Sequence, residues 1–132
     1  MGASKLFLVD DDDIFRLAAE VLITSSGLAN EVIQLENGLE AYEALTALEQ
    51  SPNDLPEIMF LDINMPVMNG WELLEELKNG PEIIRNKVKV HILTSSIDPH
   101  DLVLSKTYQF IAGYITKPLT EGDLNKIAKT FK

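Results

Sequence analysis

Four places in the chain carry side chains able to hold a cation or move a phosphoryl group, and each follows a short apolar run. Asp10, Asp11, Asp12 and Asp13 follow the run from Leu6 to Val9. Asp62 follows the run from Ile58 to Leu61, Thr94-Ser95-Ser96 follow Val88 to Leu93, and Lys117-Pro118 follow Ala112 to Thr116. Carboxylates gathered together repel, so either one takes up a proton or a cation intervenes. Mg²⁺ suits such a set, because it takes oxygen ligands: one or two carboxylates, waters and a substrate phosphate. A carboxylate can also attack phosphorus and form an aspartyl phosphate. The metal neutralises charge on the phosphoryl oxygens, and a lysine ammonium adds a second positive point. A threonine hydroxyl can donate a hydrogen bond to the product.

These residues are brought together only if the apolar runs are neighbouring strands. The pattern along the chain supports that. Short apolar runs at Lys5–Val9, Glu31–Leu35, Ile58–Leu61, Val88–Leu93 and Ala112–Thr116 alternate with longer segments of helical period. Ile14, Leu17, Ala18, Val21 and Leu22 make one stripe, with Gly27 as its stop. Tyr42, Leu45 and Leu48 make a second, and Trp71, Leu74 and Leu77 a third, after the Asn69-Gly70 turn. A fourth helix is expected around Leu102 to Tyr108, capped by Ser96 or Asp98 with Pro99 in its first turn. Leu124, Ile127, Ala128 and Phe131 give the closing helix its apolar face. Strict alternation implies parallel strands joined by crossovers, with helices on both faces of one sheet. In such sheets ligands bind beyond the carboxyl ends of the strands, where the four clusters fall.

Composition narrows the function classes. One domain fills 132 residues. No linker or second domain is visible, so residues 1–132 are expected to form one domain with no output domain attached. The formal charge of −10 argues against direct contact with nucleic acid or anionic lipid. With no cysteine, thiolate, disulfide and zinc–thiolate chemistry are excluded, and a reducing compartment is indicated. No apolar run approaches the roughly 20 residues that span a membrane. A cytoplasmic location is expected.

The motifs resemble those of one family. Val9-Asp10-Asp11, Phe60-Leu61-Asp62-Ile63-Asn64-Met65-Pro66, Asn69-Gly70, Leu93-Thr94-Ser95-Ser96 and Gly113-Tyr114-Ile115-Thr116-Lys117-Pro118 resemble, in order and spacing, the signature of the receiver domain of two-component response regulators. The resemblance covers nearly the whole chain. It implies an α/β fold, a doubly wound five-stranded parallel sheet of flavodoxin-like strand order 2-1-3-4-5 with helices on both faces. It also implies a phosphorylation-activated switch rather than a turnover enzyme, resembling single-domain chemotaxis regulators. Asp62 then resembles the phosphoacceptor. Asp11, Asp62 and the backbone carbonyl of Asn64 resemble the Mg²⁺ ligands, with Asp10 acting through water. Thr94 and Lys117 resemble the phosphate-contacting residues, and Tyr114 the aromatic that turns inward when Thr94 moves. Pro118 is a candidate for a cis bond. Asn64 and Ser96 occupy the positions that tune hydrolysis. The implied partners are a histidine kinase or histidine phosphotransfer protein, and a downstream effector or a self-dimer engaged through the fourth helix, fifth strand and fifth helix.

Blander readings stand beside these. Asp12 and Asp13 extend the acidic run and are expected to cap the first helix. The run leaves a second register open, with Asp11 and Asp12 as ligands; the spacing of Arg16 from Val9 favours Asp10 and Asp11. A calcium loop starting at Asp10 fails, because Phe15 and Val21 stand where Gly and Glu are needed. Tyr114 on a strand could be core alone. Trp71, Met65 and Met68 are read as packing, and His91 and His100 as structural or exposed. Gly38, Gly70 and Gly80 form no phosphate-binding loop. Two other functions fit the residues less well. A haloacid-dehalogenase-type phosphatase would use D-x-D-x-T after the first strand, but Ile14 stands where Thr is needed and Asp62 is left without a role. A pseudo-receiver that only binds would be expected to lack some of Asp10, Asp11, Asp62, Thr94 and Lys117.

Overall fold

A computed structural model describes residues 3–95 and 98–130. Five parallel strands, β1 (Ala3–Val9), β2 (Ala29–Leu35), β3 (Ile58–Asp62), β4 (Lys89–Thr94) and β5 (Ile111–Thr116), form one sheet in the order β2-β1-β3-β4-β5. The helices are α1 (Asp13–Ser26), α2 (Gly38–Ala47), α3 (Gly70–Lys78), α4 (Glu82–Lys87), α5 (Pro99–Ser105) and α6 (Glu121–Ala128). This is the doubly wound α/β fold expected from the alternating pattern.

Side chains alternate across a strand, so each central strand feeds two cores. On β1, Phe7 and Val9 enter the core beneath α2 and α3, while Leu6 and Leu8 enter the one beneath α1 and α6. On β3, Met59 and Leu61 go one way and Ile58 and Phe60 the other. All five residues of β3 are buried, as befits a central strand covered on both faces. Asp62 is therefore held at the end of the most enclosed strand in the sheet.

Two elements depart from the sequence reading. The stripe of Ile14, Leu17 and Val21 does not face the sheet; these residues are 77%, 66% and 62% exposed. α1 buries Arg16, Ala19 and Ile23 instead, with Phe15 and Leu22 half-buried beside them. The two sets are offset by two residues, or about 200° around a helix. α1 is thus apolar on opposite sides, and periodicity alone cannot choose between them. The second departure is α4, a six-residue helix inserted in the β3–β4 crossover, where the sequence pattern marks no helix. It follows Pro81 and buries Ile84 against the core. The helices expected as fourth and fifth are accordingly α5 and α6. α5 begins at Pro99, with the Asp98 side chain accepting from the His100 amide. Ser96, proposed as an alternative cap and as a hydrolysis-tuning position, and Phe131, expected on the last helix, lie outside the described residues.

Candidate functional site

The site forms where β1, β3, β4 and β5 end. β1 leaves the sheet at Val9, and the Asp10 amide still donates to Leu35 O at 3.0 Å. Asp12 then caps α1, its carboxylate accepting from the amides of Ile14 and Phe15. This agrees with the capping role read from sequence. Asp11 is exposed at the turn, and Asp10 is fully buried beneath it.

β3 delivers Asp62, which is 7% exposed. The loop after it folds back tightly. Met68 N donates to Pro66 O at 2.7 Å, and Val67 takes a left-handed backbone with φ 68°. Such a conformation costs a β-branched residue roughly 1–3 kcal/mol. Gly70 closes the loop, its amide donating to Ile63 O at 2.8 Å. A Cβ there would meet the Asp62 carbonyl oxygen at 2.7 Å, so only glycine lets α3 start this close to the acidic residue. Asn69 and Glu72 form a reciprocal capping box at the same helix start.

β5 delivers Lys117. Its amide donates to Thr94 O at 2.7 Å, tying the last two strands together at the rim. Its ammonium meets Asp10 Oδ2 at 2.6 Å and lies 3.7 Å from Asp62 Oδ1. It also sits 4.3 Å from the centre of the Phe15 ring. The Lys117–Pro118 peptide bond is cis. Thr94 is buried at 3% exposure beside the half-buried Tyr114. Burial, and then the nearby Asp101 carboxylate, push the Tyr114 phenol above its usual value, while the Thr94 side chain pulls it back.

Asp10, Asp11 and Asp62 each offer a carboxylate oxygen, and these atoms all lie within 4.8 Å of one another. The crowding has an electrostatic consequence. Burial is the main cause that raises Asp62 from the ordinary carboxylate range to about 6; the charge of Asp10 adds to it, Lys117 opposes, and Asp11 adds a further push. One lysine does not balance three carboxylates. A hard divalent cation with oxygen ligands would, so the donor set fits Mg²⁺ by chemistry and by spacing.

The strand ends thus gather Asp10, Asp11, Asp62, Thr94 and Lys117, with Tyr114 just behind. Asn64 follows Asp62 on the exposed loop. Sequence reasoning missed the ring of Phe15 under the Lys117 ammonium, and nothing in its type or spacing marks it. It also used Arg16 only to fix the register, whereas the folded chain buries that side chain and turns it onto Asp10. The asparagine-glycine pair before α3 was legible as a turn, but its contact with the Asp62 carbonyl was not.

A doubly wound parallel sheet with an acidic cluster and a strand-end lysine at its carboxyl rim defines an α/β domain equipped to hold a cation beside a buried carboxylate. The chain belongs to the response regulator receiver domain family, whose profile matches residues 6–129. It is 34% identical over 128 residues to Response regulator Rcp1 of Synechocystis, covering 94% of this chain and 83% of that protein. It is 28% identical to Two-component response regulator ORR1 of Oryza sativa subsp. indica, across 97% of this chain but only 55% of that protein. Among solved structures, a two-component response regulator from Cytophaga hutchinsonii superposes with a TM-score of 0.90 at 32% identity, covering 98% of this chain and 97% of its own. A response regulator receiver protein from Dyadobacter fermentans superposes with a TM-score of 0.82 at 26% identity, covering 97% of each chain. The protein is therefore a signalling domain of two-component systems, and receiver domains work with histidine kinases or phosphotransfer proteins. Among the described residues, no helix is long and apolar enough to cross a membrane.

Proposed function

We propose that Asp62 is the phosphoacceptor of this receiver, that Mg²⁺ is its cofactor, and that the chain is a switch rather than a turnover enzyme. The observation that carries this reading is the approach of the Lys117 ammonium and the Asp10 and Asp11 carboxylates to one carboxylate that burial has left short of compensating charge. In the transfer, an Asp62 oxygen bonds to phosphorus as the donor's bond to phosphorus breaks, whether that donor is a phosphohistidine or an acyl phosphate. Asp11, Asp62 and the Asn64 carbonyl would hold Mg²⁺, with Asp10 acting through water, and the ion would supply positive charge to the transferred group.

The protein's own groups do the rest. Lys117 exchanges part of its pairing with Asp10 for the new phosphoryl oxygens, and Thr94 donates its hydroxyl to them. Tyr114 lies against Thr94 and follows it, biasing the α5–β5–α6 face toward an effector or a second copy. This is a shift between pre-existing states set by where the charge sits. The exposed apolar side chains of Ile14 and Leu17, on the helix that starts beside Asp11, suit the docking of a protein phosphodonor. A cytoplasmic location fits such a donor.

The test is incubation with Mg²⁺ and acetyl phosphate, followed by intact-protein mass spectrometry. The wild type should gain one phosphoryl group and Asp62→Asn none. No gain on the wild type, or an equal gain on the variant, overturns the assignment.

A further inference from the structure

The active-site turn is held by a side chain outside the acidic cluster. Arg16 lies on the sheet-facing side of α1 and is 7% exposed, among the few charged residues the fold buries. Its Nη1 donates to the backbone carbonyl of Asp10. Its Nε donates to Gln34 Oε1 at 3.0 Å, and Gln34 Nε2 in turn donates to Glu20 Oε1 at 2.7 Å. The Asp10 backbone is thereby held in both flanking peptides, its N–H by Leu35 O and its carbonyl by Arg16.

We propose that Arg16 is a positioning residue for the cation site, its guanidinium fixing the Asp10–Asp11 turn so that both carboxylates face Asp62. The inference rests on the Mg²⁺ reading above and goes beyond it. Three features support it. The donation goes to a backbone carbonyl rather than to a carboxylate, so Arg16 sets geometry without neutralising a ligand. Asp10 also accepts from the Asp12 amide at 2.9 Å through its own Oδ1, so a shift of its peptide moves the turn that carries Asp11. And Gln34 and Glu20 orient the guanidinium, as the partners behind metal ligands commonly do.

A competing effect has the opposite sign. A buried positive charge near a cation site repels the cation, so if charge alone mattered, removing Arg16 would tighten Mg²⁺ binding. Fork geometry separates the two. Lysine keeps the charge but offers one compact donor group, and cannot reproduce the two-armed grip on Asp10 and Gln34.

Mg²⁺ dissociation constants from isothermal titration calorimetry decide between them, with the thermal midpoint in Mg²⁺-free buffer as the measure of folding. Arg16→Ala should weaken Mg²⁺ binding roughly tenfold, the scale set by partners behind metal ligands. Arg16→Lys should fall between that variant and wild type. Gln34→Ala, at an exposed position, should fold normally and weaken binding by about two- to threefold, a fraction of that same scale. Unchanged or tighter binding in Arg16→Ala overturns the proposal. If Arg16→Ala does not fold, wild-type affinity in both Arg16→Lys and Gln34→Ala overturns it. Absence of Mg²⁺ binding by the wild type would instead sink the cofactor reading on which this one rests.

Discussion

Asp62 and His91 stand on adjacent strands and are equally enclosed, each 7% exposed, yet burial does opposite things to them. It raises the Asp62 carboxyl to about 6 and lowers the His91 imidazole to about 4. In both, loss of water disfavours the charged form. The surroundings differ. Asp62 lies at the rim among Asp10, Asp11 and Lys117, where a cation or phosphoryl group can arrive. His91 pairs with Phe60 inside the sheet, its ring edge-on to the phenyl at 5.8 Å, and burial is the sole cause of its shift. A buried titratable side chain therefore marks a site only when other charges share its problem. His91 is a neutral filler of space, and Asp62 is a carboxylate kept short of a partner.

Each residue gives a way to break that comparison. The largest effect belongs to acid. The folded pKa of His91 lies below its unfolded value, so the folded chain holds fewer protons between them, and stability is lost as pH falls from about 6.5 to about 4. The shift is worth roughly 3 kcal/mol at the acid end. His91→Leu should remove this loss and leave the opposite slope of Asp62, read in Mg²⁺-free buffer as a urea midpoint that rises from pH 7 to pH 4.

Asp62 has the reverse sign. Its folded pKa lies above the unfolded one, so without metal its ionisation lowers stability as pH rises from about 3.8 to about 6. Asp62→Asn should raise Mg²⁺-free stability at pH 7 by about 2–3 kcal/mol and leave it unchanged below pH 4. The two slopes oppose over the same pH range, so the wild type should look flatter than either variant.

The glycines beside these residues sharpen the contrast further. At Gly70 a Cβ would press on the Asp62 carbonyl at 2.7 Å, and backbone yields little. Gly70→Ala should cost about 2 kcal/mol and also slow phosphorylation by acetyl phosphate. At Gly113 a Cβ would press on His91 Nδ1 at 2.8 Å, a side-chain atom inside the sheet rather than the backbone of the rim. Gly113→Ala should cost about 1 kcal/mol by urea unfolding and leave phosphorylation at the wild-type rate. Equal phosphorylation rates in the two variants would contradict the assignment of the rim as the working region.

Much of this was legible in the chain because the chemistry sits at strand ends. Buried apolar runs identify the strands, and the residue after each run is placed at the rim by the topology. Asp62, Thr94 and Lys117 are grouped on that ground by the sequence alone. What escaped depends on pairings across the sheet. Arg16 meets Gln34 only because β2 lies beside β1, and Lys117 meets Phe15 only because the chain leaving β5 turns back toward α1. The face of α1 was misread because Ile14, Leu17 and Val21 have the same spacing as Arg16, Ala19 and Ile23, and a buried arginine does not advertise itself as core. α4 escaped because six residues are too few to show a period.

The central claim is that Asp62 is held in an uncompensated acidic cluster that a divalent cation completes. The direct measurement is the pH titration of the Asp62 carboxyl carbon by NMR, with and without saturating Mg²⁺. The expected result is a midpoint near 6 in the free protein that falls below the ordinary 3.8 when Mg²⁺ is present. A midpoint near 3.8 in both conditions would contradict it.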